Sequence, residues 1–343
     1  MTNTFILNKR RYSKSNIMVI AEACDNHFGS IKNAFKMIDL AKKSGADVIK
    51  FQHHLPDEEM LKKVPKSKNF NTSLYDFLKK NALKLEDHYK LQNYCKLKNI
   101  TYLCTPFSLK AANELNKIKV CGFKIGSGEM SDHPTIKEIL KFNKPIIVST
   151  GMSTVREINE TYNIIKKNNK SFALMNCLSE YPTEYKDLNL RFILRMKKLF
   201  SKASIGHSDH TGDIFSSISA VSLGATIIEK HVTLDKKNNG PDKDVSINFN
   251  DLYKMISQIR KLEVALGDKK YIHQNEWPIR KWAHRSIVTI KNVKINEKIS
   301  LKNVWSKRPG TGIPSKNLPK ILGKKFKKDL KKDKILTWKD LII

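Results

Sequence analysis

Two short apolar runs near the middle of the chain each end in polar side chains that could bind a metal. The first run, at 203–210, ends in His210, and the second, at 225–232, ends beside His231. A strand, a crossover helix and a parallel strand would bring both ends to one edge of a sheet, with Asp242 on the following loop close to both. A single histidine more simply caps its strand through a hydrogen bond. Two of them on neighbouring strand ends, beside acidic groups, predict a site for a divalent first-row metal.

The same alternation of an apolar run and an amphipathic stretch extends over most of the chain. Eight runs are typical of strands, at 17–24, 47–54, 100–106, 122–128, 145–151, 172–178, 203–210 and 225–232. Helix-like stretches include 30–43, 85–98, 133–141, 153–168, 212–223 and 250–266. Most of the strand-like runs are apolar throughout, as expected for parallel strands buried on both faces. Eight such units predict a (β/α)8 TIM barrel.

An open doubly wound sheet is the alternative arrangement of these units. It is disfavoured because no GxGxxG motif opens the first helix, where the only glycine in the turn is Gly29. The longest connection, 55–84, contains the polar run KKVPKSKNFNTS at 62–73. A connection of this length is a candidate lid or a surface insertion.

Two lysines and several hydroxyl groups follow the predicted strands and could hold a phosphate. These side chains are Lys50, Thr105, Lys124, Ser127 and Ser149. In a barrel they would converge on the edge formed by the carboxyl ends of the strands. Phosphate oxygens bind cations and O–H or N–H donors, and the glycines beside these residues would let backbone amides approach. Each residue alone would more simply be structural, but as a set opposite a metal site they predict phosphate binding.

Length and charge limit the classes of protein that the chain can belong to. Its 343 residues favour one large domain with a smaller appendage. The excess of Lys and Arg, 64 against 33 acidic residues, gives a formal charge of +31. The lysines are scattered through the predicted helices, without a basic stripe interleaved with aromatic residues. The charge therefore predicts no nucleic-acid partner, although it could favour anionic substrates.

The cysteines and the apolar runs bear on location. The five cysteines form no CxxC pair, and several lie in apolar strand-like runs, as buried free thiols do. No disulfide scaffold is expected, which fits a reducing cytoplasm. The N-terminal stretch lacks the apolar core of a signal peptide, and no run approaches the length of a membrane span. We expect a cytoplasmic protein without a membrane partner.

Composition changes after about Gly267. The segment 268–283 has the character of a linker, with one proline and scattered aromatic residues. Residues 284–343 contain short runs rich in Ile and Val, broken by Asn, Gly and Pro. These signals predict a small, mainly β module of about 60 residues. The lysines near its end are typical of a solvated face.

Taken together, the motifs resemble one family. The chain resembles the sialic acid (N-acetylneuraminate) synthases and their bacterial relatives that make other nonulosonic acids. The matching motifs are AEACDNHFGS, VIKFQ, CTPFS, FKIGSGE, STGMS, NCLSEYPTEY, GHSDHT, EKHVTLD and GPDKDVS, and the C-terminal module, with its RPGTGI motif, resembles the antifreeze-like (SAF) domain of these enzymes. The resemblance implies an N-terminal extension at 1–16, a TIM-barrel catalytic domain at 17–267, a linker at 268–283 and an SAF domain at 284–343.

The resemblance implies a condensation reaction. Phosphoenolpyruvate would add to an N-acetylmannosamine-type sugar, water would add to C2, and phosphate would leave, giving a nine-carbon 2-keto sugar acid. His210 and His231 would hold a divalent metal, Mn²⁺ or another such as Mg²⁺ or Co²⁺, which polarises the sugar aldehyde. The small-molecule partners are therefore phosphoenolpyruvate and an N-acylated hexosamine.

The resemblance also assigns roles to the strand-end residues. Phosphoenolpyruvate would be bound by Lys50, Thr105, Lys124, Ser127, Ser149, Ser179 and Ser208. The sugar or a metal-bound water would be contacted by Glu22, Gln52, Tyr181 and Asp242. Glu22 and Glu129 are candidates for proton transfer, with His210 and His231 completing the catalytic set. Arg308, in the RPG motif, would bind the N-acyl group in a partner subunit's active site, which implies a domain-swapped homodimer.

The chain departs from the family pattern at several positions. These are Cys24, Asp25, His53, Asn176 and Glu184. We expect them to flank the sugar side of the site, so they concern the substrate rather than the reaction type. N-acetylmannosamine is one candidate acceptor. A 2,4-diacetamido-trideoxyhexose, leading to legionaminic or pseudaminic acid, is the other.

Two further hypotheses compete with a nonulosonic acid synthase. A metal aldolase or 3-deoxy sugar acid synthase would share the barrel and phosphoenolpyruvate, but the RPGTGI-bearing module argues against it. A non-catalytic ice- or glycan-binding protein is suggested by the antifreeze-like module. Ice binding needs a flat, weakly charged surface, whereas this module is rich in lysine, and the intact set of polar strand ends favours an enzyme.

Overall fold

The computed structural model describes residues 4–63, 73–168, 171–237 and 240–342. It divides the chain into two compact units, Met1–Gly267 and Asp268–Ile343. Of the candidate lid at 55–84, residues 64–72, which make up most of its polar run, lie outside the described residues. Its described flanks form two short helices.

The first unit is a barrel of eight parallel strands that follows a short N-terminal hairpin. The hairpin strands are β1 (Phe5–Leu7) and β2 (Arg10–Tyr12). The barrel strands are β3 (Met18–Glu22), β4 (Val48–His53), β5 (Thr101–Pro106), β6 (Phe123–Ile125), β7 (Ile146–Ser149), β8 (Phe172–Cys177), β9 (Ser204–Asp209) and β10 (Ile227–His231). Their order is β5-β4-β3-β10-β9-β8-β7-β6, and β5 lies beside β6 to close the ring. The predicted (β/α)8 barrel is confirmed.

Helices surround the barrel and bury one face against it. They are α1 (Ile31–Lys43), α2 (Pro56–Glu59), α3 (Leu74–Asn81), α4 (Leu85–Leu97), α5 (Leu109–Lys117), α6 (His133–Leu140), α7 (Val155–Asn168), α8 (Phe192–Leu199), α9 (Phe215–Ser222) and α10 (Phe249–Ala265). Side-chain caps fix several starts: the Ser30 hydroxyl accepts the Asn33 N–H, and Ser108 caps α5 in the same way. The apolar faces of the strands and helices form one large core.

The N-terminal hairpin closes one end of the barrel interior. Phe5, Leu7 and Tyr12 are buried in a second apolar cluster with Met18 and Ile20 of β3 and with inward residues of other strands. The N-terminal extension predicted at 1–16 contains this hairpin. The alternation of buried and exposed residues in these three-residue strands is too short to have been recognised from sequence.

The second unit has its own small core. It contains α11 (Glu276–Ala283), β11 (Ser286–Thr289), β12 (Val304–Lys307), α12 (Leu318–Ile321), β13 (Lys325–Phe326) and β14 (Leu341–Ile342). Its buried residues include Ile287, Val304, Ile313, Phe326 and Leu336. The module is mainly β, as predicted, although its strands are short and partly replaced by isolated bridges. Within the described residues of the whole chain, no helix is long and apolar enough to cross a membrane.

Candidate active site

A cavity of about 800 Å³ opens at the carboxyl ends of the barrel strands. It is lined by every predicted site residue of the first unit: Glu22, Lys50, Gln52, Thr105, Lys124, Ser127, Glu129, Ser149, Ser179, Tyr181, Ser208, His210, His231 and Asp242. The side chains come from all eight strand ends and the loops that follow them. Because neighbouring parallel strands end at the same edge, residues far apart in sequence share one wall.

The register of β3 and β4 places Glu22 beside Lys50. Within β4 the side chains alternate, so Lys50 and Gln52 face the cavity while Phe51 joins the outer core. The Lys50 Nζ lies 2.7 Å from Glu22 Oε2 and donates to Thr105 Oγ1 at 3.1 Å. Gln52 donates to Glu22 Oε1 at 2.9 Å. These contacts hold the side chains of Glu22 and Lys50 in place. Both side chains are almost entirely buried.

A second buried lysine lies on the adjacent wall. Lys124 Nζ donates to Ser149 Oγ at 2.6 Å and lies 3.7 Å from Glu229 Oε1. The same Glu229 oxygen is 3.5 Å from Lys50 and accepts from Ser208 at 3.1 Å. Glu229 therefore joins the two lysines that the sequence predicted to hold a phosphate.

The two buried glutamates differ in their preference for a proton. Burial is the largest influence on Glu22 and raises its pKa, with Glu229 raising it further and Lys50 lowering it. Burial would also raise the pKa of Glu229, but Lys124 and Lys50 together lower it. Two lysines thus hold Glu229 as a carboxylate, whereas Glu22 takes up a proton more readily.

Gly151 provides space between two hydroxyl groups of the predicted phosphate cradle. A Cβ at this position would lie 2.3 Å from Ser179 Oγ and 2.8 Å from Ser127 Oγ. The Gly151 N–H also donates to Ser127 Oγ at 3.1 Å. Only glycine lets the backbone approach these hydroxyl groups so closely.

If Ser127 and Ser179 bind phosphoenolpyruvate as predicted, we expect Gly151→Ala to raise the KM for this substrate by about tenfold or more, because displacing two hydroxyl donors would remove hydrogen bonds to a charged ligand. Steady-state phosphate release at saturating sugar measures this. Gly267→Ala is the matched control, since a Cβ there meets nothing within 4 Å. Equal KM values for the two variants would show that Ser127 and Ser179 do not bind the phosphate.

The two predicted metal ligands lie together on the opposite wall. The rings of His210 and His231 are 5.2 Å apart, centroid to centroid. His210 Nδ1 donates to the Leu178 carbonyl at 2.6 Å, so the lone pair is on Nε2, which accepts from the Tyr181 hydroxyl at 3.2 Å. His231 Nδ1 is buried and, within the described part of the chain, has no hydrogen-bond partner.

The donor set around His231 suits a divalent cation. One ligand atom each from Cys24, His231 and Asp242 lie within 4.8 Å of one another. The separation of His231 Nδ1 from Asp242 Oδ2 is 4.0 Å. Imidazole and carboxylate ligands fit a first-row metal, and the buried, unpartnered imidazole nitrogen is the kind of group that a metal satisfies. Cys24 was not predicted as part of this group.

A buried ion pair links the two residues that precede His210 and His231 in the sequence. Lys230 Nζ lies 3.3 Å from Asp209 Oδ2, with both side chains fully buried. Asp209 also accepts from the Thr211 N–H at 2.8 Å and from Ser217 Oγ at 2.6 Å. Because Asp209 precedes His210 and Lys230 precedes His231, the pair joins the ends of β9 and β10.

A polar cluster on the β4 side of the cavity contains His54, Glu59 and Phe107, which the sequence motifs did not assign to the site. It consists of Asp25, His54, Glu59 and the ring of Phe107, which all line the cavity with Gln52. His54 Nδ1 lies 3.0 Å from Glu59, and its ring stacks on Phe107 at 4.1 Å. The period-two pattern of Lys50, Gln52 and His54 could have placed His54 on the cavity face.

The departures from the family pattern lie at different depths. His53 is buried between the barrel and its helices, with Nε2 2.8 Å from Glu114. Asn176 contacts His207 at 3.4 Å, and Glu184 pairs with Lys186 on the surface. The expectation that all the departures flank the sugar side is therefore wrong for these three. Asp25 lines the cavity.

Arg308 belongs to the second unit. Its Nε donates to the Ala283 carbonyl at 3.1 Å, and its guanidinium lies 5.2 Å from the ring of Trp282. Its side chain is exposed. The proposed contact with an N-acyl group stays a prediction.

The first unit is a TIM barrel with a polar cavity at the carboxyl ends of its strands, and comparisons with known proteins identify the family. Residues 37–271 match the NeuB family, and residues 284–342 match the SAF domain. The chain therefore belongs to the NeuB family, whose members are phosphoenolpyruvate-dependent condensing enzymes. The resemblance drawn from the motifs is confirmed.

Three relatives illustrate the similarity. The N,N'-diacetyllegionaminic acid synthase of Campylobacter jejuni is 37% identical over 329 residues, covering 93% of this chain and 98% of that protein. The pseudaminic acid synthase of the same species is 34% identical over 331 residues, covering 92% and 94%. The solved structure of the N-acetylneuraminic acid (sialic acid) synthetase of Leptospira borgpetersenii is 30% identical, with a TM-score of 0.75 over 81% of this chain and 95% of that chain.

Proposed function

We propose that this protein condenses phosphoenolpyruvate with an unphosphorylated 2-acetamido sugar to form a nine-carbon 2-keto sugar acid and phosphate. The acceptor is N-acetylmannosamine or a related sugar, with a 2,4-diacetamido-trideoxyhexose as the second candidate. The observation that carries the proposal is a single cavity with buried lysines on one wall and paired histidines on the other. A cationic wall suits an anionic enol phosphate, and the histidine wall suits a carbonyl acceptor.

Phosphoenolpyruvate is assigned to the lysine wall. Lys50 and Lys124 supply two cations, and Thr105, Ser149 and Ser208 supply hydroxyl donors around them. Two carboxyl groups, Glu22 and Glu229, contact these two ammonium groups, and the wall keeps positive charge when Glu22, whose pKa is raised by burial, takes up a proton. Ser127 and Ser179, beside Gly151, would bind the remaining phosphate oxygens.

The acceptor is assigned to the wall of Gln52, Tyr181 and Asp242, beside the candidate metal ligands. His210 and His231 would hold the cation, with Asp242 close enough to bind it or its water. A bound Mn²⁺, Mg²⁺ or Co²⁺ would supply Lewis acidity at the aldehyde oxygen. The Tyr181 hydroxyl, next to His210 Nε2, would help orient that oxygen.

Proton transfer is assigned to Glu22 and Glu129. In the reaction the C3 carbon of phosphoenolpyruvate bonds to the sugar aldehyde carbon, whose oxygen takes a proton. Water then adds to C2, losing a proton, and the C2–O bond to phosphate breaks as the new C2 hydroxyl gives up its proton to form the keto group. Glu22 lies between Lys50 and Gln52, and so between the two walls, where it could receive the proton of the attacking water. Glu129, also on the cavity wall, is the second candidate.

The sugar candidates differ in their substituent at C4. The 2,4-diacetamido-trideoxyhexose is favoured by the similarity to synthases named for legionaminic and pseudaminic acid. A cytoplasmic location is part of the proposal, and the free state of all five cysteines supports it.

Phosphate release from phosphoenolpyruvate in the presence of Mn²⁺ tests the proposal with a panel of sugars. The panel contains N-acetylmannosamine, the two 2,4-diacetamido-trideoxyhexoses, N-acetylmannosamine 6-phosphate and arabinose 5-phosphate. Release with an unphosphorylated acetamido sugar is the expected result and names the product. Release with arabinose 5-phosphate alone would instead indicate a 3-deoxy sugar acid synthase, and release with none would contradict the proposal.

We further propose that Arg308 binds the N-acyl group in a partner's site within a domain-swapped homodimer. Arg308→Ala is expected to raise the KM for the sugar by about tenfold, the effect of losing a hydrogen bond from a charged group, while the KM for phosphoenolpyruvate is unchanged. Arg285→Ala, which removes another exposed arginine of the same unit, is the control. Equal changes for both substrates would mean that Arg308 is structural, and a monomer in analytical ultracentrifugation would exclude the partner's site.

A further inference from the structure

The strongest unexplained feature of the cavity is the carboxyl group of Asp25. This residue lies in the turn between β3 and α1, is 7% exposed and lines the cavity. Its Oδ1 has no hydrogen-bond partner among the residues that the structure describes. A buried carboxylate oxygen without a donor is costly, so the site is built to be completed by a donor that the described chain does not supply.

The imidazole of His54, beside Asp25, cannot turn to satisfy that oxygen. Its Nε2 lies 3.0 Å from Gln52 Oε1 and 3.7 Å from Asp25 Oδ2, and its Nδ1 lies 3.0 Å from Glu59. Both ring nitrogens therefore face acceptors, and the stacking on Phe107 fixes the plane of the ring. Asp25 Oδ2 lies toward the imidazole, while Oδ1 has no donor within the part of the chain that the structure describes.

A chain of contacts places Asp25 away from the lysine wall. Lys50 contacts Glu22, Glu22 accepts from Gln52, and Gln52 accepts from His54, which lies next to Asp25. The acids Asp25 and Glu59 outnumber the one imidazole at this end of the cavity. An anionic enol phosphate would be repelled there, whereas a neutral sugar with N–H and O–H donors would not.

We propose that Asp25 determines specificity for the acceptor sugar by accepting, through Oδ1, a hydrogen bond from one hydroxyl or amide N–H of that sugar. The inference rests on the proposed condensation and specifies its acceptor subsite. The donor required is a neutral group, and a sugar that lacks it is discriminated against because Oδ1 would stay buried and unpaired.

Asp25→Asn is a sharp test because it changes one atom of the subsite. The amide oxygen would face the His54 ring, which donates, so the NH₂ group would take the place of Oδ1. A donor would then meet the donor of the sugar. We expect kcat/KM for the sugar to fall by about tenfold to a hundredfold, the cost of a lost hydrogen bond to a charged group, with the KM for phosphoenolpyruvate unchanged. Asp25→Ala, which deletes the acceptor, should lower kcat/KM for the sugar by a similar factor.

Analogues of the accepted sugar identify the donor. Each hydroxyl is replaced in turn by hydrogen, and each acetamido group by an acetoxy group that lacks the N–H. For one analogue, kcat/KM with the wild-type enzyme should be lower than for the parent sugar, and Asp25→Asn should lower it no further. For each of the other analogues, the loss relative to the parent sugar should be the same with both enzymes. Asp57→Asn is the matched control, since this exposed aspartate pairs with Lys79 on the surface.

The outcomes separate this inference from the function on which it rests. Turnover of a panel sugar by wild type together with unchanged sugar kinetics in both Asp25 variants would overturn the inference and leave the synthase function standing. Equal losses for sugar and phosphoenolpyruvate, or no coupled analogue, would also overturn it, because Asp25 would then be structural. No phosphate release by wild type with any sugar would count against the proposed function. Thermal melting of both variants checks that they are folded.

Discussion

His210→Ala is expected to lower metal-dependent phosphate release by about a hundredfold to a thousandfold, as removal of an electrophilic group does in other enzymes. The imidazole has one nitrogen held by the Leu178 carbonyl, so its other nitrogen points into the cavity as a lone-pair donor. With alanine, His231 and Asp242 would be left to hold the cation without the second imidazole. The affinity for the metal should fall together with turnover.

Two measurements check this expectation. Isothermal titration with Mn²⁺ reports the affinity of each variant, and phosphate release at saturating metal reports turnover. His133→Ala is the control, because this histidine of α6 contacts Thr161 outside the cavity. Wild-type metal affinity in His210→Ala would remove His210 from the set of ligands. Lost turnover with wild-type metal affinity would instead assign His210 to substrate orientation.

Lys230→Ala is expected to lower the free energy of unfolding by about 3 to 5 kcal/mol, the usual cost of removing one partner of a buried ion pair. The substitution would leave the carboxylate of Asp209 buried without its cation. It would also remove the donor that Lys230 supplies to the Thr211 carbonyl at 2.5 Å. Because this pair joins the two strands that carry His210 and His231, surviving protein should also bind metal less tightly.

Lys254→Ala provides a matched comparison. Lys254 also pairs with an aspartate, Asp251 at 3.1 Å, but its side chain is 64% exposed. An exposed pair of this kind contributes at most about 1 kcal/mol. Urea unfolding followed by circular dichroism compares the two variants. Similar losses for both would show that the Asp209–Lys230 pair adds little to stability.

The sequence alone predicted many of the residues that line the cavity, because the side chains suited to chemistry lie at strand ends. Lys50 and Gln52 follow one apolar run, and His231 ends another, so the rule that parallel strands present their carboxyl ends at one edge brought them together before any coordinates. The same reasoning missed His54, which lies two residues past Gln52. Its role depends on Glu59 and Phe107, which reach it from other connections.

The meaning of the departures from the family pattern could not be read from sequence. His53 and Asp25 both stand beside predicted site residues, yet one packs against Glu114 behind the barrel and the other lines the cavity. Side chains on consecutive residues of a strand face opposite sides, and a turn such as the one holding Asp25 has no such period to follow. Only the fold of the turn decides which way that carboxyl points.

The sequence by itself determined the fold class, the small second module, the family and many of the residues around the cavity of the first unit, but not His54 or Glu59. These depend on local periodicity and on the order of motifs, which are properties of the chain read along its length. The tertiary structure decided which charged groups lie close enough to interact. Glu22 and Glu229, for example, both lie beside Lys50. Such properties arise from distances of a few ångströms between strands, and in a low-dielectric interior those distances set the electrostatics.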